Sequence, residues 1–306
     1  MIKRTLYFGN PAYLKTKDEQ LVIVLPTEMI NGQPLPEEIK TVPIEDVGVV
    51  IIDHQQITIS QALIAKLLEN NVAFITCDKS HHPTGLLLNL DGHTLQSQKF
   101  QAQVEATVPL KKQLWQQTIS CKINNQAALL EMARVPVKNM RNWAAEVKSG
   151  DSDNHEAVAA VYYWKNIFPI FTEFRRERHG DPPNNLLNYG YAILRAVVAR
   201  NLVASGLLPT LGIFHKNQYN AYCLADDIME PYRPFVDKVV VNIVNLNGNY
   251  LELTPSMKKE MLNIPAMDVL INNEKSPLMV AVQKTTASLV KCFEGKQRKI
   301  LYPEFV

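Results

Sequence analysis

Short apolar runs separated by turn-forming residues dominate the first third of the chain. β-branched and aromatic residues fill three early runs, at 2–8, 21–25 and 49–52. Gly9-Asn10-Pro11 and Asn31-Gly32 stand between these runs and are typical turn formers. Runs of this length and spacing predict the strands of a small sheet or sandwich.

One amphipathic segment interrupts the predicted strands. Ser60 is a suitable N-cap and Asn70-Asn71 a suitable stop for a helix. Four residues between them form an apolar face at helical spacing: Leu63, Ile64, Leu67 and Leu68. The strand pattern then returns at 72–77 and 86–90, so a single helix is predicted within the β-rich part.

After about residue 95 the apolar period becomes helical. Helices are predicted over the apolar positions Leu110, Leu114, Ile119, Ile123 and Leu129, and further along at 137–147, 154–176, 185–205, 222–230, 234–245, 256–263 and 277–295. The long helix at 185–205 is expected to end at Gly206. The fold class predicted is α+β, with a β-rich domain at 1–95, a linker at 96–105 and an all-α domain at 106–306.

Composition narrows the class of protein without identifying a partner. The chain has 306 residues, 46% of them hydrophobic, and a formal net charge of +2, so the overall charge favours neither nucleic acid nor a membrane. The four cysteines are too widely spaced for a zinc pair, and no apolar run approaches the ~18 residues of a membrane span. A cytoplasmic protein with reduced thiols is therefore predicted.

Four side chains in the helical part carry donor atoms suited to chemistry. His215 follows an apolar run, Asp227 and Glu230 lie three residues apart, and Glu156 opens a helix upstream. One imidazole and two separable carboxylates form a small, open ligand set for a catalytic divalent cation. This combination indicates phosphoryl-transfer chemistry.

Each of these residues also has a simpler interpretation. Asp153 and Glu156 have the spacing of a capping box, in which the glutamate bonds the N-cap amide. A histidine after an apolar pair is often a partly buried core residue. Asp227 and Glu230 could form a solvated acidic face, although Pro231 should end their helix at Glu230.

Taken together, three segments resemble the signature regions of the CRISPR-associated spacer-acquisition integrases: Asp153-Asn154-His155-Glu156-Ala157-x-Ala159-Ala160-x-Tyr162, Gly212-Ile213-Phe214-His215 and Asp227-Ile228-Met229-Glu230-Pro231-Tyr232-Arg233-Pro234. The segment 184–191 is similar to the helix start between the first two regions. The opening, 3–23, resembles the branch that accompanies the single-protein, RNA-guided interference nuclease of type II systems. The resemblance covers nearly the whole chain.

The resemblance implies a divalent-metal-dependent DNA endonuclease and integrase. Its function would be to insert short duplex DNA into the CRISPR array by attack of a 3′-hydroxyl on a phosphodiester. The implied metal ligands are Glu156, His215 and Glu230, and the implied cofactor is Mg²⁺ or Mn²⁺. Asp227 would be a supporting or alternative carboxylate, because many relatives carry aspartate at the position of Glu230.

The resemblance also implies partners. The β-rich domain would pair two subunits into a homodimer. Other partners would be DNA, the small partner protein of the acquisition complex and the type II interference nuclease, with no membrane involved. Six basic residues are candidates for phosphate contacts, although interleaved glutamates also fit an ordinary solvated face: Lys165, Arg175, Arg176, Arg178, Arg195 and Arg200.

Two alternative functions fit the same residues. The chain could be a metal-dependent DNA nuclease of another pathway, with the ligands correct and the biological role different. It could also be a non-catalytic DNA-binding scaffold, in which Glu156 is only a cap and the two later carboxylates are only solvated.

Overall fold

The computed structural model describes residues 3–26, 29–30, 33–34, 38–79, 81, 83–171, 173–246 and 250–306. The chain divides into two compact units, the first ending at Gly92 and the second beginning at His93. Strands concentrate in the first unit and helices in the second, which confirms the predicted α+β class. The turn predicted at Asn31-Gly32 lies outside the described residues.

The first unit contains strands of two to six residues and one α-helix among its described residues. The strands are β1 (Arg4–Phe8), β2 (Ala12–Lys17), β3 (Gln20–Val24), β4 (Met29–Ile30), β5 (Gln33–Pro34), β6 (Ile39–Pro43), β7 (Val47–Ile52), β8 (Ile57–Ile59), β9 (Ala73–Cys77) and β10 (Pro83–Leu87); the helix is α1 (Gln61–Glu69).

Two sheets share one apolar core in this unit. One sheet has the order β1-β7-β9-β10, with its first three strands parallel, and the other has the order β6-β3-β2-β8. Leu14 and Leu21 from one sheet, Val50 and Phe74 from the other, and Leu63 from α1 belong to the same buried cluster. The predicted sandwich with a single helix describes this packing well, because alternate side chains of each strand point into the core.

The helix α1 starts as its sequence predicts. Ser60 adopts an extended conformation, and its hydroxyl accepts a hydrogen bond from the Leu63 N–H at 3.3 Å. Leu63 and Leu67 are fully buried on the predicted apolar face. A serine at this position satisfies one of the free N–H groups of the first turn.

The second unit is built mainly from helices. They are α2 (Gln96–Val104), α3 (Val108–Met132), α4 (Lys138–Glu146), α5 (His155–Asn166), α6 (Asn184–Ala204), α7 (Cys223–Met229), α8 (Arg233–Leu246), α9 (Pro255–Leu262) and α10 (Leu278–Phe293). A two-stranded antiparallel sheet, β11 (Asp268–Ile271) with β12 (Glu274–Pro277), precedes α10. Within the described residues, no helix has the length and apolarity needed to span a membrane.

Three sequence predictions differ from this architecture. The domain predicted as all-α contains the β11-β12 hairpin, whose turn uses Asn272 and Asn273 with positive φ. The stretch predicted as a linker, 96–105, forms α2. The helix predicted over 154–176 ends at Asn166, because Pro169 disfavours helical geometry in the residue before it.

Two long helices form the centre of the second unit. α3 packs against α4, α5 and α8, while α6 packs against α7, α8 and α10. Both helices contribute many fully buried side chains, including Trp115 and Leu194. α6 ends as predicted, since Gly206 follows its last turn with φ +79°, a left-handed conformation that glycine adopts without strain. The packed helices give the loops between them a rigid support.

Candidate active site

Glu156 lies in the first turn of α5, and its carboxylate is not used for capping. The backbone N–H groups of His155 and Glu156 instead donate hydrogen bonds to the two carboxylate oxygens of Asp151, at 2.9 and 3.0 Å. Asp153 forms a surface ion pair with Lys148 at 2.7 Å. The capping box considered for Asp153 and Glu156 is therefore absent from this helix start, and the Glu156 side chain is available for another role.

Glu230 lies at a break between two helices. α7 ends at Met229, residues Glu230–Tyr232 form a single 3₁₀ turn, and α8 follows at once. Pro231 explains the break, because its ring cannot continue the preceding helix. The Glu230 side chain is 7% exposed and lies 2.8 Å from the Nε atom of Arg233.

Lys122, on α3, joins the two glutamates. Its Nζ atom lies 2.6 Å from Glu156 Oε1 and 2.6 Å from Glu230 Oε2, and its side chain is only 12% exposed. Carboxylates from α5 and from the turn after α7 therefore meet at one point. Lys122 was not among the predicted site residues.

The opposite charges around Lys122 and Glu230 stabilise the ionised form of both side chains. Burial opposes ionisation of Glu230, but Arg233 and Lys122 outweigh it and hold the pKa of that carboxyl below its usual value. Burial likewise works against the charged form of Lys122, while Glu230 and Glu156 raise the pKa of its amine above the usual value. Glu230 and Lys122 are consequently both charged at neutral pH.

His215 is oriented by Asp227, which is completely buried. The imidazole Nδ1 lies 2.5 Å from Asp227 Oδ1. Asp227 also accepts the backbone N–H groups of Ile213, Phe214 and His215, at 2.7, 2.9 and 3.2 Å. Because both of its oxygens are occupied in this way, Asp227 holds the backbone of the loop and the His215 ring in place.

Asp227 also changes the proton affinity of the imidazole. The hydrogen bond to Asp227 raises the pKa of His215 above its ordinary value, against the effect of partial burial. With Nδ1 engaged, Nε2 is the ring nitrogen that a ligand would use. A buried carboxylate behind a histidine is the usual arrangement in metal sites.

Aromatic packing supports the same loop from α3. Phe214 stacks on the fully buried Trp115 with ring centroids 4.2 Å apart, and Trp115 meets the His215 ring edge-on at 5.6 Å. Position 212 requires a glycine, because the chain passes too close to its neighbours for a side chain. A Cβ there would overlap the His215 carbonyl oxygen and lie 2.7 Å from Asp227 Oδ2. The Gly212 to His215 motif is thus a tight turn around the Asp227 carboxylate.

The donor atoms fit a divalent cation by type. Glu230 Oε2 is buried, and the Lys122 ammonium lies 2.6 Å from it. Two carboxylates and an imidazole nitrogen suit Mg²⁺ or Mn²⁺. Across the described parts of the chain, no three His, Cys, Asp or Glu side chains are already grouped as a metal site. The Lys122 nitrogen lies between the carboxylates of Glu156 and Glu230.

The six basic residues predicted to contact phosphate differ in how exposed their side chains are. Lys165, Arg175 and Arg178 are exposed. Arg176 is instead engaged internally, donating to Asn184 Oδ1 and Asn188 Oδ1 at 2.9 and 2.7 Å.

Arg195 and Arg200 lie on α6 and also differ. Arg200 is half-buried, and burial lowers the pKa of its guanidinium. Arg195 is 40% exposed, and its Nε atom is held at 2.6 Å by Asp226, which also accepts a hydrogen bond from Asn220. Arg176 and Arg200 are thus less accessible than the three exposed cations, and contact of any of the six with phosphate stays a prediction.

Another buried carboxyl of the helical unit, that of Asp237, is held by two tyrosines. Asp237 accepts hydrogen bonds from the hydroxyls of Tyr163 and Tyr191, at 2.7 and 2.5 Å. The Arg233 guanidinium lies over the Tyr191 ring, 4.6 Å from its centroid. Burial raises the pKa of Asp237 to about 6, although the two tyrosine hydrogen bonds and the nearby arginines oppose this shift.

Asp237 should make the folded state lose stability as pH rises from about 4 to about 6. Its folded pKa of about 6 exceeds the ordinary 3.8, so in this range the folded state holds a proton that the unfolded state has released. The free energy of unfolding should fall by up to about 3 kcal/mol and stay lower above this range. Urea unfolding of the wild type and Asp237→Asn at about pH 4 and pH 7 measures this; an equal pH dependence in both proteins would contradict it.

Comparison with known proteins places this architecture in one family. The family model described as CRISPR associated protein Cas1 matches residues 6–262. The CRISPR-associated endonuclease Cas1 of Neisseria meningitidis serogroup C (strain 8013) is 34% identical over 303 residues, which cover 98% of this chain and 95% of that protein.

Two solved structures have the same fold. A casposase bound to integration product has a TM-score of 0.77 at 18% identity, and the match covers 98% of this chain and 92% of the casposase chain. A chain of a Cas6-RT-Cas1–Cas2 complex has a TM-score of 0.73 at 18% identity, with 97% of this chain and 35% of that chain covered. At these identities, the structures establish similarity of fold.

Proposed function

The chain belongs to the CRISPR-associated Cas1 family, and from this premise we propose that it is a metal-dependent DNA endonuclease and integrase of CRISPR adaptation. Its substrate would be a short duplex DNA, inserted into the CRISPR array when a 3′-hydroxyl attacks a phosphodiester. The relative in Neisseria meningitidis is named an endonuclease, and the casposase structure is described as bound to an integration product. Both names support this chemistry.

One observation carries the proposal. Glu156 and Glu230 come from separate elements, yet each places an oxygen 2.6 Å from the same Lys122 nitrogen. A third donor, His215, is oriented by the buried Asp227 and is near enough to both glutamates for their charges to act on its ring. Like-charged carboxylates repel one another, so a protein that brings two together in a partly buried position needs a cation there.

Each residue has a distinct task in the proposed site. Glu156, Glu230 and His215 Nε2 would hold Mg²⁺ or Mn²⁺, and the ion would supply a Lewis acid for the phosphodiester and for the attacking hydroxyl. Asp227 keeps the His215 proton on Nδ1 and leaves Nε2 as the donor. Arg233 neutralises Glu230 from its other side, at 2.8 Å.

Partners follow from the exposed charges and from the related complex. DNA would contact the exposed cations of the helical unit through its phosphates. Among the candidates, Arg195 is fixed in position by its ion pair with Asp226. We place the small Cas2 partner in the assembly because a structural relative is described as a Cas6-RT-Cas1–Cas2 complex. Homodimerisation through the β-rich unit and a cytoplasmic location belong to the same proposal. Association with the interference nuclease stays a prediction.

Strand transfer tests the proposal. A short duplex with 3′-hydroxyl ends is incubated with a supercoiled plasmid that carries a CRISPR repeat, with Mg²⁺ or Mn²⁺ and with the small partner protein. The duplex should become joined to the plasmid. A duplex with 3′-deoxy ends should give no joining, since it lacks the attacking group, and Glu230→Gln should give none with either duplex.

Two outcomes would contradict the proposal in different ways. Plasmid nicking without any joining would indicate a hydrolytic nuclease of another pathway. DNA binding with neither nicking nor joining under every metal condition would indicate a non-catalytic scaffold.

A further inference from the structure

Lys122 is the cation that brings the two site glutamates together in the protein. It projects from the middle of α3, a helix that supplies none of the predicted ligands. Its Nζ atom is 2.6 Å from an oxygen of each glutamate, and its side chain is 12% exposed. A lysine is rarely buried unless its charge is compensated, and here two carboxylates compensate it.

The charge balance of this group limits what else it can hold. Glu156 and Glu230 carry two negative charges, and Lys122 and Arg233 carry two positive ones. A divalent ion bound by the same two carboxylates would lie close to both resident cations, and like charges that close repel one another strongly in a poorly solvated place. We therefore expect one of the two resident cations to move away when such an ion binds.

Lys122 is the cation that can leave. Arg233 is constrained twice, by its 2.8 Å contact with Glu230 and by its position over the Tyr191 ring. Lys122 has a flexible four-carbon stem and a compact charged head, so a rotation of its side chain moves the ammonium several ångströms. The nitrogen also lies between the carboxylate oxygens, where a divalent ion would have to be placed.

We propose that Lys122 acts as a built-in monovalent cation, which holds Glu156 and Glu230 together and is displaced when a divalent ion binds. This competition lowers the affinity of the site for the ion. Lys122 is thus a positioning residue that sets the metal concentration at which the site loads. The inference depends on the proposed function, because it requires that the two glutamates bind the metal.

Manganese binding measured on the purified full-length protein tests the inference without an activity assay. The dissociation constant for Mn²⁺ is determined by electron paramagnetic resonance and by calorimetry for the wild type, Lys122→Met and Lys122→Gln. Both neutral variants should bind Mn²⁺ at least about tenfold more tightly, equivalent to about 1.4 kcal/mol. Lys122→Gln is the second variant because its amide can still bridge the carboxylates if the methionine protein folds poorly.

Three controls make the result specific. Lys122→Arg keeps the charge and should bind Mn²⁺ within about threefold of the wild type. Lys112→Met makes the same change at an exposed lysine of α3, about 15 Å away along the helix, and should not alter binding. Adding Glu156→Gln to Lys122→Met should abolish the tight binding, which assigns it to this site.

The outcomes separate the inference from the function on which it depends. Equal or weaker Mn²⁺ binding in both neutral variants, with binding to the wild type intact, would overturn the role of Lys122 and leave the metal site standing. Absence of Mn²⁺ binding in every protein, including the wild type, would overturn the metal site and the inference together. Tighter binding in the neutral variants, lost on adding Glu156→Gln, supports the inference.

Discussion

Replacing His215 with alanine should slow plasmid nicking and strand transfer by about a thousandfold, a loss of about 4 kcal/mol of transition-state stabilisation. The change removes the one nitrogen donor proposed for the site and the ring that Asp227 holds at 2.5 Å. Affinity for duplex DNA should stay within about twofold, because phosphate contacts elsewhere on the helical unit provide it. Rates are measured with Mn²⁺, and DNA affinity by fluorescence anisotropy.

A matched histidine provides the control for this prediction. His54 lies in a turn of the β-rich unit, where its Nδ1 accepts the Gln56 N–H, and His54→Ala should nick plasmid at the wild-type rate. If His215→Ala retained most of the wild-type rate, the imidazole would have no catalytic part. If DNA affinity fell as much as the rate, the residue would serve binding instead.

Replacing Asp227 with alanine should lower both stability and activity. Its carboxylate accepts three backbone N–H groups and the His215 ring, and it is completely buried. Removing it leaves those donors without a partner, so the free energy of unfolding should fall by about 3 kcal/mol. Activity should fall at least about a hundredfold, since the imidazole loses its orientation. Urea denaturation and the strand-transfer assay measure the two effects.

The neighbouring carboxylate allows a direct comparison. Asp226 is also buried, but its partners are the partly exposed Arg195 and the side chain of Asn220. Asp226→Ala should therefore cost only about 1 kcal/mol of stability and should weaken DNA binding more than the chemical step. Equal effects of the two substitutions on the chemical step would show that Asp227 has no special relation to His215. Asp227→Asn, which keeps the shape of the side chain, serves as the variant if the alanine protein does not fold.

Local signals in the sequence predicted many of the element boundaries. Ser60 marks the start of α1, and Pro231 ends the helix that carries Asp227 at Met229. Gly206 follows the end of α6 in a left-handed conformation. Each of these residues acts through its own backbone or through a neighbour within one helical turn, so its effect can be inferred from adjacent positions.

Long-range partners could not be predicted in this way. Lys122 is separated from Glu156 by 34 positions, and its own helix shows an ordinary mixture of amides, lysines and apolar residues. Such contacts depend on how the helices pack against one another, and this packing cannot be inferred from the residue type at a single position.

The choice between Asp227 and Glu230 illustrates the point further. In the sequence both carboxylates lie within one short acidic segment, and either could face a metal. In the structure Asp227 turns toward the backbone of the His215 loop, while Glu230 turns toward Lys122 and Glu156. The helix break at Pro231 separates the two directions, and this favours Glu230 as the proposed ligand.

Anomalous scattering from a crystal of the protein soaked in Mn²⁺ tests the central claim most directly. The account predicts one strong peak about 2.0–2.6 Å from an oxygen of Glu156, an oxygen of Glu230 and Nε2 of His215, with the Lys122 ammonium moved away. A crystal that binds Mn²⁺ only elsewhere, or with Asp227 in place of Glu230, would contradict it.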